Sequence, residues 1–242
     1  MRTLPQKLRL LPSALLQVTA RLPLADRANA EALIDPYVQS MHHRCGFAEV
    51  HGCVVLGIPW PEVNECGRRP SPSSQPNTVS IALREAQLIL EHPSAVCDHA
   101  YMAFDGLVAA VANITDTLGR TLNACYGLGI PARQANLFKV RAGCTAGSAL
   151  HRLLDDSART EWLTKTRELR GRCQHADVVQ VLQRRDSALG ASVEPLVPAE
   201  YDWRAPPQDR ELSDYSRELL SVGERFIVDC VEVIINDALN AV

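Results

Sequence analysis

From Ser94 to Tyr126 the chain carries one apolar stripe. Val96, Ala100, Phe104, Leu107, Val111, Ile114, Leu118, Leu122 and Cys125 recur at steps of three and four. Only an α-helix returns positions at that spacing to one face. Asp98, Asn113, Asp116, Arg120 and Asn123 fall largely off the stripe. Pro93 and Ser94 suit the start of such a helix, and Gly127 and Gly129 suit its stop. At 1.5 Å per residue it is about 45–50 Å long, enough to be the spine of a bundle.

A second spine is expected over Asp209–Leu239, where Leu212, Tyr215, Leu219, Val222, Phe226, Cys230 and Val233 repeat the spacing. Shorter helices are expected near Ala132–Val140, Ala146–Leu154, Ala158–Leu169 and Gln174–Leu189, followed by a long Pro-rich connection over Gly190–Pro207. Helical pieces also open the chain, with Pro36 expected to interrupt the one over Ala28–Met41. Ala48–Ile58, with its β-branched residues between Gly and Pro, reads as one or two short strands. Residues 59–77, with Pro59, Pro61, Pro70, Pro72 and Pro76, read as a loop. The expected architecture is mainly α: an up-and-down helical bundle over 81–242, with residues 1–80 an elaboration holding a small N-terminal β element.

Composition agrees with a packed helical core. Of the 242 residues, 46% are hydrophobic and only 5% aromatic, so the core is mostly Leu, Ala and Val. The eight cysteines are scattered without a CxxC pair, which favours buried reduced thiols over a disulfide framework. No apolar run approaches the roughly 20 residues of a bilayer span. Arg2, Lys7 and Arg9 before Leu10–Val18 resemble the start of a signal peptide, but Pro12 and Ser13 interrupt the run, and a cytoplasmic protein is expected. The net charge of −3 argues against a protein that coats nucleic acid non-specifically. Its distribution is uneven: residues 133–185 carry eleven Lys or Arg against five acids, while residues 194–242 carry eleven acids against four bases. The middle of the chain is therefore the part suited to a polyanion.

Within that basic segment lies Thr166-Arg167-Glu168-Leu169-Arg170-Gly171-Arg172-Cys173-Gln174-His175, where four residues separate Arg170 from His175. An imidazole with an ordinary pKa near 6.5 can take or give a proton at neutral pH. A guanidinium can hold two phosphate oxygens and stabilise developing charge. On one unbroken helix, positions five apart lie about 140° apart, so the pair converges only if the helix breaks between them or if two protomers meet. Gly171 is the expected breaker.

This Arg-x4-His arrangement, after a long helix ending in Tyr126-Gly127-Leu128 and before a long closing helix, resembles the signature of the HEPN superfamily over roughly Ser94–Leu239. The resemblance implies a metal-independent endoribonuclease of toxin–antitoxin or phage-defence type. Arg170 and His175 would be catalytic at a homodimer interface, and Arg167 and Arg172 would hold the RNA backbone, with no cofactor. A cognate antitoxin is then an expected partner. Gly171 departs from the polar residue that often follows the Arg in that superfamily.

Two other readings compete. The bundle serves as an inactive scaffold binding RNA, nucleotide or protein, in which case the Arg and His lie apart or are tied up in salt bridges. Alternatively the acidic closing helix docks a basic partner, in which case an apolar stripe on Asp209–Leu239 is exposed. His42, His43, Cys45, His51, Cys53 and Cys66 are candidate zinc ligands by type, but their spacing matches no zinc-finger pattern, and buried thiols are expected instead. No glycine-rich phosphate loop, nucleophile elbow or ExxH pattern occurs.

Overall fold

The computed structural model describes residues 4–56, 96–175, 182–185 and 193–240. Seven α-helices are described: α1 (Leu4–Thr19), α2 (Leu24–Val55), α3 (Val96–Tyr126), α4 (Leu137–Gly143), α5 (Ala149–Leu154), α6 (Ser157–His175) and α7 (Leu212–Leu239). A three-stranded antiparallel sheet, β1 (Leu182–Arg185), β2 (Val193–Val197) and β3 (Arg210–Glu211), lies between α6 and α7 in the chain. The protein is mainly α, a helical bundle with a small β element.

The apolar stripe of α3 becomes its core face: Phe104, Leu107, Val111, Ile114, Leu118, Leu122 and Cys125 are all buried. Leu8, Leu11, Leu15 and Val18 of α1, Ile34, Val38 and Met41 of α2, and Tyr215, Leu219, Phe226 and Cys230 of α7 share the same core. Contacts step forward together along α3 and α7. Phe104 meets Tyr215, Val111 lies beside Gly223, and Tyr126 donates to Asp237 Oδ2 at 2.7 Å, so the two spines run parallel. The strand of chain between them must therefore come back, and α4 to α6 supply the return. α2 runs opposite to α3, with His51 near its end lying against Gly106 near the start of α3.

Several expectations change. Ala48–Val55 is the last part of α2, not a strand, and the β element sits at 182–211 instead. Cys45, Ala48 and Gly52 are buried at helical spacing, and Gly52 is so close to Leu220 that a Cβ there would stand 2.6 Å from its Cδ1. Packing against two spines outweighs the β preference of Val54 and Val55. Pro36 does not end α2. It sits on the exposed side of the helix, where water can satisfy the carbonyl its ring leaves without a donor. Leu182–Arg185, expected to be helical, pairs with β2, Leu182 opposite Leu196. The long connection 190–207 contains β2 and a 3-10 turn over Ala199–Tyr201. On α7, Val222 and Val233 are only half-buried, while Ile227, Val231 and Ile234 complete the core face. Of the large hydrophobic residues on α7 only Leu239 is exposed, which removes the apolar stripe that docking through this helix requires. The loop expected over 59–77 and the boundary at residue 80 lie outside the described residues.

Burial holds the His51 imidazole below its ordinary 6.5, and burial, then Arg9 and His43, do the same for His42. Both histidines fold neutral, so the stability they permit is complete above 6.5 and declines as pH falls through the lower folded values. The melting temperature should therefore fall on going from about pH 7.5 to about pH 5. Replacing His51 by Leu should flatten that dependence, which a pair of calorimetric pH series can check.

Candidate functional site

α6 is built to be a positioned, solvated helix rather than a core one. It starts at Asp156, whose Oδ1 accepts the Arg159 backbone N–H at 3.0 Å. Trp162, Leu163, Thr166 and Leu169 face the core, and Arg159, Lys165, Arg167, Arg170 and Arg172 outnumber Glu161 and Glu168 on the rest of the helix.

The helix passes through Gly171 without a break and ends at His175. The expected interruption is absent for a local reason. Gly171 is not among the glycines with positive φ, which are Gly127, Gly129 and Gly147 among the described residues. A glycine inside a helix costs only about 0.5–1 kcal/mol relative to alanine, an amount the buried face just before it offsets. Positions 170 and 175 therefore stay roughly 140° apart around the axis. The side chain of His175 lies outside the described residues.

Arg167 and Arg170 turn toward α3, where Asp116 stands between them. Arg170 Nη1 donates to Asp116 Oδ2 at 2.7 Å, and Arg167 Nη1 donates to Oδ1 at 3.2 Å. The guanidinium of Arg167 also lies 5.7 Å from the centre of the Phe138 ring of α4. α4 is held in place by close backbone approach. Gly119 lies under its N-cap Asn136, where a Cβ would stand 2.8 Å from the Asn136 Cα. Asn136 Oδ1 accepts the Lys139 N–H. At the far end of α3, Asn123 pairs both ways with the backbone of Ile130 and fixes the turn into this segment.

Arg172 points the other way. With Lys165, Glu168, Glu200 and Tyr201 it lines an open cleft of about 450 Å³ between α6 and the 3-10 turn. Burial pushes the Tyr201 phenol up, Glu200 adds to the shift, and Arg172 beside it acts in the opposite sense. Lys165 is within 3.5 Å of Glu168, so the cleft's charges largely compensate one another. On the unbroken helix, position 175 shares the face of Arg172 and Glu168, three and seven residues before it, and not the face of Arg170.

Of the four residues expected at the site, the fold thus brings Arg167 and Arg170 together and sets Arg172 on the opposite side of α6. Asp116 and Phe138 were not singled out by the sequence as site residues. The one available signal for Asp116 was a carboxylate off the apolar stripe of a core helix, and its partners are more than fifty residues away. Among the described residues no three His, Cys, Asp or Glu side chains gather as metal ligands. Cys45 is buried and its thiol is pushed up to about 12, by burial first and then by Glu49. Such a thiol stays protonated at neutral pH. None of the described helices is long and apolar enough to cross a membrane. Comparison with known protein families, with characterised proteins and with solved structures finds no match for this chain.

Proposed function

We propose that the chain is an RNA-binding helical bundle that meets the phosphate backbone with the arginines of α6. One observation carries this reading: a single carboxylate brings Arg167 and Arg170 side by side while leaving them 35% and 26% exposed. Two guanidiniums side by side suit the paired oxygens of a phosphodiester. Arg170 is held by Asp116 and α6 is unbroken, which supports binding without turnover.

The test is titration of a labelled single-stranded RNA at several salt concentrations. Arg167→Ala with Arg170→Ala should weaken binding and reduce the slope of log K against log salt by about 1.4, two contacts at roughly 0.7 each. Unchanged affinity and slope in the double variant sink the proposal.

A metal-independent endoribonuclease remains a second reading, and one observation shapes it. Because α6 is continuous, an Arg170–His175 site needs the imidazole of a second protomer, as a homodimer would provide. Incubation with total RNA in EDTA is the check. Fragments ending in 2′,3′-cyclic phosphate that disappear with His175→Ala establish cleavage, and loss with Arg172→Ala but not Arg170→Ala moves the site to the cleft side of α6. RNA left intact by the wild type disposes of this reading.

A further inference from the structure

We infer that Asp116 is a built-in anion seated in the place a ligand phosphate takes, so that binding proceeds by displacement of an internal carboxylate. The inference rests on the RNA-binding reading and names how its subsite is regulated. Arg167 and Arg170 stand one turn apart on α6, where two like charges repel unless an anion lies between them. Asp116 is that anion: each of its oxygens meets one guanidinium, at 3.2 and 2.7 Å. The carboxylate is 18% exposed and the two guanidiniums 35% and 26%, so water and solutes reach the bridge from the arginine side, and a partly solvated ion pair can be exchanged. A phosphate presents the same pair of oxygens with at least as much charge, and it meets a site whose two cations are already aligned.

The surroundings favour exchange over permanent pairing. Phe138 supports one side of Arg167 whether the anion is Asp116 or a ligand, so the arginine stays placed when the carboxylate leaves. Arg120 lies one helical turn beyond Asp116 on α3 and is exposed, adding a third cation near the incoming anion. One arginine elsewhere in the fold, Arg210, gives a contrast. It is 6% exposed, between two aromatic rings and two carboxylates. At the Asp116 bridge the two guanidiniums are more open, at 35% and 26% exposed.

The experiment compares wild type, Asp116→Asn and Asp116→Asn with Arg167→Ala, using a short single-stranded RNA and, separately, inorganic tripolyphosphate. Asp116→Asn should tighten binding by roughly three- to tenfold, the scale of one charge-assisted contact no longer competing. Adding Arg167→Ala should remove that gain. If Asp116→Asn weakens binding as Arg170→Ala does, Asp116 orients the arginines for the ligand and the displacement idea is overturned, while RNA binding stands. If neither protein binds RNA or tripolyphosphate, the RNA-binding reading falls and this inference with it. Should the Asn variant lose its cooperative melt, the wild type decides. Tripolyphosphate should shift the Nε resonances of both Arg167 and Arg170, and resonances that do not move overturn the inference.

Discussion

Replacing Trp162 by Ala should destabilise the protein by about 3–5 kcal/mol, the range for removing a large buried aromatic side chain. Trp162 is fully buried and joins α6 to the spines. Its ring centre lies 5.8 Å from that of Phe226, and it covers Gly223, where a Cβ would stand 3.2 Å from Cζ2. The absence of a side chain at 223 is what lets the indole come this close to α7. Truncation therefore leaves a cavity that has the Gly223 backbone of α7 on one side, where no side chain can fill it. Trp162→Phe separates packing from polarity. The indole Nε1 is buried without a hydrogen-bond partner, and leaving such a donor unmet costs about 1–3 kcal/mol. Phe keeps much of the contact and deletes the donor, so its penalty should stay below about 1.5 kcal/mol. Urea titrations of the two variants check both values; equal losses would show that the indole nitrogen is satisfied in solution.

Asp202→Ala should cost a comparable amount, about 3–5 kcal/mol, because it strips the partner from buried positive charge. The Asp202 side chain is 1% exposed and accepts from Arg204 Nε at 3.1 Å and from the backbone N–H of Gln208 at 3.2 Å. Arg210 lies beside it, 3.8 Å away, bridging to Glu218 with its guanidinium over the rings of Trp203 and Tyr215. Tyr215 in turn donates to the Tyr201 carbonyl at 3.2 Å, so this knot ties the 3-10 turn, and with it one wall of the cleft, to α7. Burial alone would raise the Asp202 pKa, but hydrogen bonds from the Arg204 side chain and from the Gln208 and Arg204 N–H groups outweigh it and hold the carboxyl below 3.8. A depressed folded pKa means stability that is complete above 3.8 and is lost as pH falls through the lower folded value. The wild type should therefore lose stability in strong acid faster than Asp202→Ala does, and the two melting curves should approach each other there. A gap that persists at low pH would show that the loss comes from packing and not from charge.

Different parts of the fold became legible for different reasons. The positions of α3 and α7 follow from their own residues, because apolar side chains at steps of three and four define a face without reference to any partner. Gly127 ends α3 in the left-handed conformation, with φ of 61°, as its place after the last stripe residue suggests. Local preference misled where burial decided the conformation instead. Val54 and Val55 favour strands in isolation, yet α2 continues through them because Cys45, Ala48 and Gly52 fit against neighbouring helices. Gly171 has the composition of a break and the geometry of a helix, for the same reason.

The candidate site shows the same division at the level of single residues. The sequence by itself determined the basic character of α6 and the spacing of Arg167, Arg170, Arg172 and His175, since both are properties of consecutive residues. Which arginines act together was decided only by the tertiary structure. A helix presents residues three apart on one side and residues two apart on nearly opposite sides, so its continuity through Gly171 assigned Arg167 and Arg170 to α3 and Arg172 to the cleft. The carboxylate that unites the first two comes from residue 116, and a contact between side chains so distant in sequence exists only once the core has fixed α3 and α6 against each other.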